Sequence, residues 1–304
     1  MTLISHLRHV GHGRIMAGLM NFALKILVDF FDKFGLVYKR NVGTFLSYKL
    51  GKGHTVTLPP STPHLTISPT FLEGKRVLFV GDVHGCFDEL KELYDKCAYP
   101  GTDIVVVYVG DLVYKGPKTL DVIRFVRETG SFSVRGNHEQ SILTEILHKR
   151  RNEPVRDKRR IVYDLTLEDE EFLENLPFTI SIPSLNVLVV HGGLLPGVPL
   201  TEQDPLGMIF IRNYNPEKFQ GTASTGDGFA WASVWNGPQH VVFGHDARRG
   251  LQLHAHATGI DTGCVYGNHL TGILVEDGVW NNRKLIQVKA KEKEKCHLEE
   301  SNGK

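Results

Sequence analysis

Cysteine is scarce in this chain: four in 304 residues, at Cys86, Cys97, Cys264 and Cys296, with no C-x-x-C pair. So few scattered thiols exclude a small disulfide-framed fold and point to a reducing compartment. A surplus of one charge sign is also lacking, because the formal net charge is +1. Bulk charge therefore gives no argument for a nucleic-acid or membrane partner, and only local patches count. Long apolar runs are absent too. None reaches the roughly 18 residues of a clear membrane span. The nearest, 15–36, is broken by Asn21, Lys25, Asp29, Asp32 and Lys33. It reads as an amphipathic helix with Leu19, Phe22, Ile26, Phe30 and Phe34 near one face. No acidic residue precedes Asp29, so this stretch admits three readings: a helix packed on the body, a targeting segment, or a membrane contact.

What is present is a long globular core pattern. Residues 1–58 read as an N-terminal extension with that helix, and 59–75, rich in Pro, as a linker or ordered crossing segment. A catalytic domain is expected over 76–288, and a charged, solvated tail over 289–304. Within 76–288 short Val-rich runs recur at 77–80, 104–109, 132–134, 187–190, 241–243 and 273–275. Continuous apolar runs suit strands buried on both faces. Helical patterns lie between them at 88–97, 118–128 and 140–149. Another begins at Thr166, with Asp169 as capping-box partner, and stops before Pro177. Alternation of this kind predicts an α/β layered fold.

Each of five runs ends in a polar cluster: Gly81-Asp82-Val83-His84-Gly85, Gly110-Asp111, Gly136-Asn137-His138-Glu139, His191-Gly192-Gly193 and Gly244-His245-Asp246. Ligand sites in α/β folds form beyond the carboxyl ends of the strands, so five such clusters can meet in one crevice. Taken singly, each is ordinary turn or cap chemistry. Taken together, carboxylate, imidazole and amide oxygen suit divalent Mn, Fe, Zn, Co or Mg. One carboxylate can bridge two such ions about 3.5–4 Å apart.

Other features carry two readings each. The basic clusters 149–151 and 158–160 are either solvated loop or a contact for a polyanion. Trp231 and Trp235 are either packing residues or a base-stacking platform. His254 and His256 fit a strand face, and Cys86 and Cys264 fit structural roles.

The ordered set GDVHG, GDLVYKGP, RGNHE, VVHGG and GHD resembles the calcineurin-like metallophosphoesterases. GDLVYKGP, GHDARRGLQ and DTGCVYG make it similar to the ApaH-like phosphatases, relatives of symmetrical diadenosine-tetraphosphatase. The resemblance implies two mixed β-sheets flanked by helices and a pair of divalent metal ions. It implies that Asp82 and His84 hold the first ion, that Asp111 bridges, and that Asn137, His191 and His245 hold the second. His138 would be the general acid, with Lys115, Arg135, Arg212 and Tyr266 contacting substrate. The implied reaction is attack by a metal-bridging hydroxide on phosphoanhydride bonds of inorganic polyphosphate, dinucleoside polyphosphate or capped RNA. The rival reading is a protein serine/threonine phosphatase. No stable nucleic-acid complex is expected. The compartment implied is cytoplasmic, with a vacuolar or mitochondrial one admitted by the N-terminal helix.

The chain departs from the family pattern at Tyr114, where many relatives carry an acid that orients the catalytic histidine. Without that partner His138 would be a weaker acid. An anhydride leaving group needs less protonation, so Tyr114 favours anhydride substrates.

Overall fold

A computed structural model describes residues 56–97 and 103–291. The expected N-terminal helix and most of the charged tail lie outside the described residues. Strands in the first half are β1 (His64–Thr66), β2 (Arg76–Val80), β3 (Ile104–Tyr108), β4 (Phe132–Ser133), β5 (Thr179–Ile182) and β6 (Val187–Val190). In the second half they are β7 (Asn213–Asn215), β8 (Gln220–Thr222), β9 (Phe229–Ala230), β10 (His240–Phe243), β11 (Gln252–Leu253), β12 (Ala257–Gly259), β13 (His269–Val275) and β14 (Lys284–Lys289).

They form two large mixed sheets. One has the order β14-β13-β2-β3-β4, the other β1-β5-β6-β10-β12-β11. In the first, β2, β3 and β4 are mutually parallel and β13 runs against β2. In the second, β6, β10 and β12 are parallel and β5 is antiparallel to β6. A third sheet, β8-β7-β9, was not anticipated by the sequence.

The residues of β2 show why these strands form. Val77 and Phe79 point between the sheets, packing with Val105, Val107, Ile180, Val187, Val189 and Val242. Leu78 and Val80 point the other way, into a core with Leu90, Leu93, Val122, Ile123 and Val126. Those last residues belong to helices Phe87–Lys96 and Thr119–Glu128. A strand packed on both faces needs no polar alternation, which is why the apolar runs are continuous.

Helix Leu167–Glu174 begins at the expected capping box: Asp169 N donates to Thr166 Oγ1 at 3.2 Å, and Thr166 N to Asp169 Oδ2 at 3.1 Å. Helix Asn137–Arg150 starts three residues before the 140 expected, which brings Asn137 and His138 onto its first turn. The stretch 59–75 is ordered, as one of its two readings expected. It carries β1, paired in parallel with β5, and helix Pro69–Leu72. His254 and His256 occupy the turn between β11 and β12 rather than a strand face. Trp231 is buried, 4.8 Å ring to ring from Phe243, with its indole N–H donated to Gly192 O, so packing is its role.

Because β2, β3 and β4 in one sheet and β6, β10 and β12 in the other are each parallel, each sheet delivers three loops at its strands' carboxyl ends. Those six loops carry the polar clusters.

Candidate functional site

The first two clusters are stitched together by backbone. The amides of Val83 and His84 both donate to Asp111 O, at 3.2 and 2.8 Å, and Gly116 N donates to His84 O at 2.8 Å. His84, Asp111, Tyr114, Lys115 and His245 adopt φ of +47°, +52°, +68°, +65° and +68°. Left-handed backbone at non-glycine residues costs on the order of 1 kcal/mol or more each, and it concentrates at functional sites. Gly110 has φ +95°, and a Cβ there would lie 2.9 Å from both Gly136 N and His191 Nδ1. Only glycine lets these two strand ends approach so closely.

Asp111 sits at the middle. Its Oδ2 lies 3.4 Å from His84 Nε2 and 3.9 Å from His138 Nε2, while its Oδ1 lies 3.4 Å from His191 Nε2. Asn137 Oδ1 stands 3.0 Å from His191 Nε2 and 2.9 Å from His245 Nδ1. Two groups of metal-competent donors result, His84–Asp111–His138 and Asp111–His191–His245, and they share Asp111. Asp82 accepts from the His245 amide at 3.1 Å and lies beside Asp261. All six expected ligand residues thus face one region.

The far nitrogens of the imidazoles are anchored. His84 Nδ1 donates to Val113 O at 2.9 Å, His191 Nδ1 to Val109 O at 2.8 Å, and His245 Nε2 to Phe210 O at 3.2 Å. Carbonyl anchors of this kind fix the tautomer and aim the other nitrogen. For His245 the consequence is specific. Burial holds it well below the ordinary histidine range, so it is neutral and its Nδ1 bears a lone pair. That lone pair faces Asn137 Oδ1, an acceptor facing an acceptor. A cation between them relieves the mismatch.

The carboxylates tell the same story. Burial, with Asp261 and Asp111 nearby, pushes Asp82 well above the usual range. Burial also works to raise Asp111, but His191, His138 and His84 hold it well below. His191 is raised because the Asp111 carboxylate overcomes its burial. Burial lowers His84 well below the usual range and His138 to about 4. Neutral His84, His138 and His245 beside crowded buried carboxylates fit divalent cations, and the donor set contains no thiolate. A separate buried group, Cys86, Glu89 and Cys264, lies off this centre. There the Glu89 carboxylate accepts from Lys291 N at 3.1 Å, tying down the end of the described chain.

Of the expected substrate contacts, three lie at the site. Lys115 Nζ donates to His84 Nε2 at 2.8 Å and lies 5.2 Å from the centre of the exposed Tyr266 ring. Arg212 donates through Nη2 to His245 O at 2.9 Å, and its Nε, buried without a hydrogen-bond partner, lies 3.9 Å from Asp246 Oδ1. Arg135 is a correction. It is 0% exposed and donates to the carbonyls of Thr57, Leu58 and Glu174 at 3.2, 2.9 and 2.6 Å, so it braces the body instead of facing substrate. The captured guanidinium has its charge solvated by main-chain oxygens.

Two residues that sequence reasoning passed over complete the site. Glu139 accepts from the amides of Asp111, Leu112, Val113 and Gly136, at 2.8, 2.8, 3.2 and 2.8 Å. Its signal was the acid three residues after Gly136. Asp261 opens the Asp261–Gly267 stretch, whose DTGCVYG motif carried the family resemblance but gave Asp261 no role of its own. Tyr114 offers His138 no carboxylate. The two rings meet edge to face at 6.0 Å, and His138 Nδ1 is buried without a hydrogen-bond partner.

Comparison with known proteins gives a consistent picture. Residues 75–261 match the family model described as calcineurin-like phosphoesterase. An asymmetrical bis(5'-nucleosyl)-tetraphosphatase PrpE of Halalkalibacterium halodurans is 27% identical over 230 residues, covering 64% of this chain and 87% of that one. A symmetrical bis(5'-nucleosyl)-tetraphosphatase of Actinobacillus pleuropneumoniae is 26% identical, covering 65% and 94%. A crystal structure of a candidate diadenosine tetraphosphatase superposes with a TM-score of 0.67 at 35% identity, over 75% of this chain and 98% of that one. A protein serine/threonine phosphatase of Saccharomyces cerevisiae shares the fold, with a TM-score of 0.53 at 19% identity.

Proposed function

This chain belongs to the calcineurin-like phosphoesterases, a family of metal-dependent phosphohydrolases, and from that premise we propose that it uses two divalent cations to cleave phosphoanhydride bonds. Dinucleoside polyphosphates are the substrate class favoured, since that is what its relatives' names carry. The observation behind the two-cation reading is Asp111, whose two oxygens each lie 3.4 Å from a different histidine, His84 and His191.

In this reading Asp82, His84 and Asp111 hold one cation, and Asp111, Asn137, His191 and His245 the other. Cations there supply positive charge to the phosphoryl oxygens and acidify water. The remaining work falls to the chain itself. Lys115 and Arg212 bind phosphate oxygens, the first as a point charge, the second as a planar fork. Lys115 Nζ donates to His84 Nε2, and a cation held by that nitrogen would release the lysine to substrate. His138 presents Nε2 to the centre and a proton there serves the departing oxygen. With no partner on Nδ1, its charged form gains no support from that side, which suits a leaving group that is already a weak base.

A substrate panel tests this. Protein loaded with Mn, Zn, Fe, Co or Mg is offered diadenosine tetraphosphate, long-chain polyphosphate, capped RNA and a phosphoserine peptide. The expected result is a higher kcat/KM for the anhydrides than for the peptide. Faster turnover of the peptide would return the assignment to the protein serine/threonine phosphatases. No turnover of any substrate by metal-loaded protein would remove the enzymatic reading.

A further inference from the structure

We propose that Arg159 forms a second anion subsite on the His138 side of the centre and grips the phosphate adjoining the one attacked. This rests on the phosphohydrolase reading above and adds a basis for selecting substrates with two or more linked phosphates.

Of the surrounding basic residues, three are paired with carboxylates, while Arg151, Lys158 and Arg160 stand exposed to solvent. Lys149 pairs with Glu170, Arg150 with Glu170 and Glu174, and Arg156 with Glu145. Arg159, in the 3-10 helix Asp157–Tyr163, has no carboxylate and no side-chain hydrogen bond among the described residues. It is only half-exposed, yet it carries a full charge with no counter-ion. A partly desolvated guanidinium without an anion is unfavourable unless something else uses it.

Its position is fixed by stacking. The Arg159 guanidinium carbon lies 3.7 Å from the centre of the Tyr114 ring. Tyr114 in turn meets the His138 ring at 6.0 Å, giving one file of side chains: His138, Tyr114, Arg159. Tyr114 is itself held, with φ +68° and its amide donated to Thr119 Oγ1 at 3.0 Å. Stacking over an aromatic face leaves the guanidinium edge, with its parallel N–H donors, free for a bidentate phosphate contact. The Arg159 charge also reaches the centre, where it helps to lower His138 and itself feels Asp111.

Of the other two site cations, Lys115 is held against His84, whose ring lies 4.7 Å from that of His138, and Arg212 against His245. If His138 marks the leaving-group side, the phosphate beyond the scissile bond falls to Arg159. A monophosphate ester has no group to offer it. The proposal also gives residue 114 a second consequence: an acid there would pair with Arg159 and cancel the subsite, whereas tyrosine supports it.

The test compares binding of methylenediphosphonate, two phosphoryl groups on a bridge that hydrolysis does not cleave, with binding of orthophosphate. Calorimetry is run on the Mn-loaded protein and on Arg159→Ala and Arg159→Lys. Wild-type protein should bind methylenediphosphonate more tightly than orthophosphate. Arg159→Ala should weaken methylenediphosphonate about tenfold and orthophosphate far less, as expected for losing one charge-assisted contact. Arg159→Lys should fall between, keeping charge but losing the fork, and it stands in for the alanine variant if that one melts early. Equal losses for both ligands, no loss, or wild-type protein with no preference for methylenediphosphonate would each overturn the proposal. Failure of the phosphohydrolase reading registers separately, as wild-type protein that turns over no phosphate substrate.

Discussion

His138 stands between two roles at the residue scale. Its Nε2 lies 3.9 Å from Asp111 Oδ2, close enough to join His84 and Asp111 as a donor, and the proton-donor assignment competes with that. Replacing it separates them. His138→Ala should slow turnover about 10²–10⁴-fold, the usual contribution of general acid catalysis, while metal analysis finds unchanged content. Loss of bound metal in that variant would make His138 a ligand. The residues proposed to hold metal could be singled out in the sequence because each follows an apolar run, and the fold brings Asp82, His84, Asp111, Asn137, His191 and His245 to one region. Arg135 was not legible. What captures it are the carbonyls of Thr57, Leu58 and Glu174, from segments remote in sequence, and a main-chain acceptor leaves no mark on composition. Asp261 was read only as part of the DTGCVYG motif, because nothing in the sequence shows that its carboxylate is buried beside Asp82.

At the scale of elements, the first turn of helix Asn137–Arg150 is the joint that matters. Glu139 reaches back to Gly136 N and across to three amides of the loop after β3. Burial pushes its carboxyl up to about 7, against those four donors. Glu139→Ala would leave the amides of Asp111, Leu112, Val113 and Gly136 buried without an acceptor, a loss of roughly 3 kcal/mol or more in chemical denaturation. Metal affinity should fall with it, because Asp111 is held through the same loop. A variant as stable as wild type would deny Glu139 this bracing role. The helix had been expected to start later because Asn137 and His138 look like loop chemistry, and the side-chain cap from Glu139 is what turns them into helix. The long strands were readable from their doubly buried faces. β1 was not, being three residues set among prolines and recognisable only through its partner β5.

At the scale of the whole molecule, three buried carboxylates, Asp82, Asp111 and Asp261, crowd one point, and burial together with the other two acids holds Asp82 well above the usual range. Divalent ions should therefore stabilise the fold as well as serve the reaction. Scanning calorimetry should show the melting temperature rising on adding Mn or Zn and falling with a chelator, with a gain of about 2.7 kcal/mol at a hundred times Kd. A melting temperature indifferent to both would argue against cations at this centre. The large-scale plan, layered strands with a site at their ends, was visible in the sequence. The third sheet was not, because β7, β8 and β9 are two or three residues long and carry no periodic pattern.

The centre draws Asp82, Asp111 and Asn137 from the ends of strands in one sheet, and His191 and His245 from the other. Neither sheet alone owns a complete donor set. A chain that has collapsed only one layer during synthesis, or lost one to damage, is thus catalytically silent by construction.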